Sequence, residues 1–147
     1  MKQLRVETEI DAPPDAVWDV LTDFAAYEEW NPFFTRATGD LREGGTVDVD
    51  IEAPRRPSLS MTMTITTVAR RRRLQWVGRL VSPWLFEGRH TFDLQALEDD
   101  RTRFVNREQF SGILAPILTL GLRDEYEAMN RALADRVEGA PVVDVAP

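Results

Sequence analysis

The sequence predicts an α+β fold in which a curved antiparallel sheet wraps around a long C-terminal helix, with two short helices after the first strand. Three observations carry this. Apolar and polar residues alternate with period 2 at the N-terminus and again in successive runs between residues 34 and 112. A proline-marked junction after the first run opens a stretch of helical spacing. Near the C-terminus, Leu118, Leu122, Tyr126, Met129, Leu133 and Val137 follow one another at intervals of 4, 4, 3, 4 and 4 residues, one face of an amphipathic helix.

In chain order, Leu4, Val6, Thr8 and Ile10 alternate with Arg5, Glu7 and Glu9, the pattern of a half-buried strand. Asp11-Ala12-Pro13-Pro14 ends it, with Asp11 a candidate cap and the prolines suited to a first helical turn. Val17, Trp18, Leu21 and Phe24 then recur at helical spacing, and Tyr27 and Trp30 continue it to Asn31-Pro32, where the residue before proline is pushed out of the helical region. Trp18 and Trp30 are read as structural, and Asn31 as a helix-end cap. Three further runs alternate at residues 47–52, 59–65 and 74–79, broken at Gly44-Gly45, Pro54 to Pro57, Arg70 to Arg73, Ser82-Pro83 and Glu98 to Asp100. Such short connections make an antiparallel meander. The C-terminal stripe predicts one helix from about 114 to 138, and the sheet is the only partner large enough to cover it. Residues 1–139 are thus expected to form a single domain and 140–147 a flexible tail.

Composition narrows the function classes. With 147 residues, 43% of them hydrophobic, the chain is long enough for one sizeable core. The formal charge of −7 disfavours nucleic acid as a partner. That charge is uneven: residues 1–54 carry −9, 55–107 carry +6 and 108–147 carry −4, with the arginines at 55–56 and 70–73 read as solvated hairpin turns, the alternative being an anionic ligand or membrane surface attracted by them. There are no cysteines and one histidine, which excludes disulfides, thiolate zinc sites, cysteine nucleophiles and a three-histidine metal centre. No apolar run is long enough for a membrane span, so no stable membrane insertion is expected. The protein is read as cytoplasmic, a monomer or homodimer, without metal or cofactor. The G-x-S-x-G, G-x-G-x-x-G and G-x-x-x-x-G-K-[ST] patterns are all missing.

Strand parity nominates the site. In residues 86–96, Phe86, Gly88, His90, Phe92 and Leu94 share one face, which places the single histidine on an apolar surface. In the next strand Phe104, Asn106, Glu108 and Phe110 share a face, so two polar side chains point inward between phenylalanines. His90 and Glu108 are the candidate acid/base residues. A buried, charged Glu108 needs a basic partner, a proton or cavity water. A Glu108–His90 pair would raise the imidazole pKa and lower that of the carboxyl relative to isolated burial; the alternatives are an exposed or otherwise satisfied Glu108 and a His90 that hydrogen-bonds internally and fills space. Met61, Met63 and Trp76 also have inward parity. With Phe92, Asn106, Phe110, Leu118, Leu122, Tyr126 and Met129 they are the expected lining of an interior cavity, ordinary core packing being the alternative for each.

The order of elements resembles the helix-grip fold. Ile10-Asp11-Ala12-Pro13 followed by Val17-Trp18, then Leu21-Thr22-Asp23-Phe24, Tyr27 and Trp30-Asn31-Pro32, resembles the N-terminal signature of the START-like superfamily that includes polyketide cyclase/dehydrase and Bet v 1 proteins. Gln75-Trp76 to Gly78, Phe86 to Phe92, Thr102 to Phe104 and Glu108 to Gly112 are similar to the second half of its bacterial single-domain members. The resemblance implies a large, mainly apolar cavity between sheet and helix and leaves the reaction open, because one fold hosts many functions. Three functions follow as expectations: binding of a lipid- or polyketide-like small molecule, a cofactor-free cyclase or dehydratase using His90 and Glu108, or a co-chaperone-like interaction module. The last requires an exposed apolar patch outside the cavity, and no leftover stripe is expected to form one.

Overall fold

The computed structural model describes residues 2–54 and 56–145, with the last six of these in backbone only. Strand β1 (Lys2–Ile10) leads into helix α1 (Pro14–Thr22), a 3₁₀ turn (Phe24–Ala26) and helix α2 (Tyr27–Trp30). Six strands follow: β2 (Phe34–Gly39), β3 (Thr46–Ile51), β4 (Leu59–Ala69), β5 (Arg73–Arg79), β6 (Glu87–Leu97) and β7 (Arg101–Ser111). They form one antiparallel sheet in the order β1-β7-β6-β5-β4-β3-β2. The register slips between Phe34 and Arg36 and between Ile65 and Thr67. Irregularities of this kind bend a strand and increase its twist, so they help the sheet curl. Helix α4 (Leu122–Val145) packs on β1, α1, α2 and β7, gripped by the sheet. This is the helix-grip fold.

Proline in the first turn of α1 has the φ the helix needs and no N–H to lose. Asp11 does not cap that helix: the N-cap is Pro13, and the Asp11 backbone N–H donates to Glu138 Oε2 on α4. Asn31 does act at the end of α2, its Oδ1 accepting the backbone N–H groups of Phe33 and Phe34 as the chain turns into β2. The Tyr27 hydroxyl donates to the Leu21 carbonyl, tying α2 to α1.

The short helices fill one end of the space between sheet and α4. Phe24 packs on Trp76, Trp76 meets Phe34 and Phe92 edge-on, and Phe92 stacks on Phe104. Ile10, Leu21, Leu74 and Leu133 are fully buried around this cluster. Each such side chain contributes about 1.5–3 kcal/mol by leaving water. The other end holds less.

The predicted single helix over 114–138 is broken. Helix α3 (Ala115–Leu118) ends at Thr119, whose hydroxyl donates to the Ala115 carbonyl, and Gly121 takes φ +77° before α4 begins. Glycine enters that left-handed region without a Cβ penalty, which is why a helix stops there. Leu118 and Leu122 still share one side of the break, so the apolar spacing runs through it undisturbed. At its far end α4 continues in backbone to Val145, past the predicted limit near 138. The rest of the expected tail, 146–147, and every side chain from 140 lie outside the described residues.

Candidate functional site

A cavity of about 470 Å³ occupies the less filled end, between β2 to β7, α3 and the start of α4. Its wall is mainly apolar: Phe33 and Phe34, Ile51, Leu59, Met61, Met63, Leu80, Phe86, Phe110, Leu118 and Leu122. Glycines give it room. A Cβ on Gly78 would stand 2.5 Å from Met63 Sδ and 2.9 Å from Met61 Cε, so its absence lets both methionine tips lie flat on β5. The polar side chains of the wall are Arg56, Ser58, His90, Glu108, Thr119 and Tyr126.

His90 and Glu108 are directly paired across β6 and β7. Imidazole Nδ1 lies 3.3 Å from Glu108 Oε1, and the Tyr126 hydroxyl from α4 donates to that same oxygen. A Cβ on Gly88 would stand 2.3 Å from Oε2, so the carboxyl lies over a bare stretch of β6 at the cavity wall. On its other side, His90 Nε2 is 2.5 Å from Asn106 Oδ1. Asn106 Nδ2 donates to Asn130 Oδ1 at 3.1 Å, and Asn130 Nδ2 donates to the Val6 carbonyl and to Thr8 Oγ1.

This chain of contacts fixes the tautomer. A backbone carbonyl only accepts, so Asn130 presents its amide nitrogen to Val6 and its oxygen to Asn106. Asn106 must then donate to Asn130 and offer Oδ1 to His90, which requires the proton on Nε2. Nδ1 is left as an acceptor facing the Glu108 carboxyl. Burial decides the charges: it lowers His90 from 6.5 to about 4, against a smaller upward pull from Asn106. It also raises Glu108 from 4.5 to about 7, against a smaller downward pull from Tyr126. The two are adjacent, but as a neutral imidazole and a carboxylic acid below pH 7 rather than as an ion pair, because desolvation outweighs their mutual attraction.

Of the other residues expected on the wall, Met61, Met63, Phe110, Leu118, Leu122 and Tyr126 line the cavity. Trp76, Phe92, Asn106 and Met129 do not. Trp76 and Phe92 belong to the aromatic cluster that α1 and α2 press into the far end, while Asn106 and Met129 are fully buried behind His90, the thioether of Met129 accepting from Asn106 at 3.8 Å. Inward parity is shared by a whole strand face, but only part of that face borders the void.

Two further expectations are corrected at the mouth. Arg56, read as a solvated turn residue, is part-buried in the cavity wall; Arg55 lies outside the described residues. An apolar patch also exists where none was expected. Val81 and Trp84 in the β5–β6 loop, Ile113, Ile117 and Leu120 are 66% to 95% exposed, and the Ile113 N–H donates to the Trp84 carbonyl, joining the two segments. Val81, Trp84 and Ile113 escaped notice because the loops carrying them show no periodic pattern, and Ile117 and Leu120 because they fall off the apolar stripe of the helix predicted there.

The family described as polyketide cyclase / dehydrase and lipid transport matches residues 1–138. The chain belongs to that family. No curated protein matches it. Among solved structures, the Zhui aromatase/cyclase from a Streptomyces species is similar with a TM-score of 0.76 at 17% identity, over 93% of each chain. A START superfamily protein from Mycobacterium smegmatis gives 0.75 at 18%, covering 94% of this chain and 98% of that one. Norcoclaurine synthase from a Thalictrum species gives 0.73 at 14%, covering 95% and 96%. At these identities the likeness shows the fold. The predicted lining left out wall residues such as Phe33, Phe34, Leu80 and Phe86, and in the hydrogen-bonded chain behind His90 sequence reasoning missed Asn130. It lies four residues after Tyr126 on the margin of the apolar stripe, and a polar side chain at that spacing was the available signal. Among the described residues no cluster of His, Asp or Glu is arranged to hold a metal ion, and no helix is long and apolar enough to cross a membrane.

Proposed function

We propose that this protein binds a hydrophobic small molecule, lipid- or polyketide-like, in the cavity between sheet and helix. The observation that carries this reading is the cavity itself: about 470 Å³, walled by aliphatic, methionine and phenylalanine side chains, with few polar groups gathered mainly at Glu108 and the mouth. Ligand sites typically span about 300–1,000 Å³ and combine an apolar wall with a small number of placed polar groups. Methionines suit such a wall because their tips repack around different shapes. Glu108 and Tyr126 would hydrogen-bond a carbonyl or hydroxyl on the ligand. Native mass spectrometry of the protein purified from its own host tests this. A co-purifying apolar molecule is expected, and a bare polypeptide that also fails to bind apolar fluorophores would refute the reading.

One observation favours a second reading, a cofactor-free cyclase or dehydratase. Glu108 stays protonated to about pH 7 and stands at the cavity wall over Gly88, with the His90 acceptor behind it. A carboxylic acid so placed would protonate a departing hydroxyl or a carbonyl oxygen, and general acid catalysis of this kind is worth about 10²–10⁴-fold. If Glu108→Gln and His90→Ala keep tight binding of the native ligand but abolish its conversion, the enzyme reading displaces the carrier.

A further inference from the structure

Arg56 is a charge that an apolar ligand alone leaves unused. It lies between β3 and β4, lines the cavity, and its Nη1 donates to the Leu118 carbonyl at the end of α3. Among the described residues the other part-buried arginines all have carboxylates: Arg101 with Glu9, Arg103 with Glu7 and Glu9, Arg107 with Asp93, and Arg136 with Glu29. The arginines without a carboxylate within 4.0 Å are otherwise exposed, as Arg42, Arg70, Arg72, Arg89, Arg123 and Arg131 are. Arg56 alone in that set is both part-buried and without an acidic partner.

A guanidinium drawn partly out of water gains most from a planar anion that takes two of its five N–H donors at once, and one backbone carbonyl leaves most of them free. The wall provides no such anion. Its one carboxyl group, Glu108, is engaged by Tyr126 and His90. The positive field also reaches the interior, since Arg56 pulls the Tyr126 hydroxyl pKa downward against the larger upward effect of burial.

We propose that the ligand is an amphiphilic carboxylate, its head group held by Arg56 and its apolar body lying against Met61, Met63 and Phe110. This rests on the binding reading above and names the ligand's chemical class. The head group displaces the Leu118 carbonyl from part of the guanidinium fork, and the bidentate geometry selects carboxylate over neutral polar ends.

Calorimetric titration with naphthalene-2-carboxylate and its neutral isostere naphthalene-2-carboxamide tests it at neutral pH, using wild type, Arg56→Gln and Arg56→Lys. The wild type should bind the carboxylate at least about tenfold more tightly than the amide, the scale of one charge-assisted contact. In Arg56→Gln that preference should vanish, the carboxylate losing more affinity than the amide. Arg56→Lys should keep part of it, and rising salt should erode the wild-type preference. Should Arg56→Gln fail to fold, the lysine variant and the salt series carry the test. If the wild type binds both compounds equally, or its preference survives both Arg56→Gln and high salt, the carboxylate assignment is overturned and the apolar cavity reading stands. Binding of neither compound overturns both.

Discussion

His90 and Glu108 face each other across β6 and β7 with Nδ1 3.3 Å from Oε1, and burial pushes each toward its uncharged form, the imidazole down to about 4 and the carboxyl up to about 7. Proximity of an acid and a base suggests an ion pair. Here the cost of stripping water from two charges exceeds what one contact in the interior returns, so the proton stays on the carboxyl. The hydrogen bonds running from the Val6 carbonyl through Asn130 and Asn106 to Nε2 hold one ring proton there and leave Nδ1 as the only nitrogen that could take a second.

The imidazole should therefore be a neutral Nε2–H tautomer that resists protonation. Because the chain has one histidine, ¹⁵N resonances of the labelled ring need no assignment. Nδ1 should show the shift of an unprotonated nitrogen at pH 7 and at pH 5.5, with titration only near pH 4. A doubly protonated ring at pH 6 would mean the ion pair forms after all. Asn106→Leu removes the acceptor of the Nε2 proton and should lower the ring pKa further, since that hydrogen bond is what pulls it upward.

Stability should depend on pH through the same pair, with opposite signs. His90 has a folded pKa of about 4 against 6.5 unfolded, so its contribution is lost as pH falls from 6.5 through 4. Glu108 has about 7 folded against 4.5 unfolded, so its contribution is full below 4.5 and lost as pH rises through 7. Between those unfolded values the folded and unfolded chains bind equal numbers of protons at this pair, and its net effect is flat. Glu108→Gln removes one partner. Relative to wild type it should gain stability between pH 4.5 and 7, on the order of 3 kcal/mol across that range, read from urea unfolding at a series of pH values. A wild-type-minus-variant difference that does not move with pH would show that Glu108 is ionised in the folded state.

Much of this pair was legible in the sequence. Period 2 alone puts His90 and Glu108 on inward faces, and the short turn at Glu98 to Asp100 makes their strands neighbours. The helix break was not, because Leu118 and Leu122 keep the spacing of one continuous stripe on either side of Gly121. Arg56 was misread because polarity in a loop looks the same whether the side chain points to water or into a wall. The protonation state was out of reach for a different reason: it follows from the depth of burial, and parity gives a direction without a depth. The division of the interior into a filled end and an empty end depends on where α1 and α2 dock, which no local pattern contains.

That division separates two kinds of inward residue, and mutation should distinguish them. Phe92 stacks on Phe104 and His90 within the filled end and is not part of the cavity wall. Phe92→Ala should cost about 3–5 kcal/mol of stability, the transfer term plus a new cavity. Met61 borders existing space, its tip resting over Gly78. Met61→Trp should project into the cavity and keep stability within about 1.5 kcal/mol, because the added volume meets emptiness rather than packed neighbours. Binding of an apolar fluorophore should respond in reverse, abolished by Met61→Trp and largely retained by Phe92→Ala at temperatures where that variant is folded. Unfolding in urea and fluorophore titration on both variants measure the two axes together. Equal loss of binding in the two variants would mean the void extends past His90 to Phe92, and Met61→Trp binding like wild type would place the ligand elsewhere.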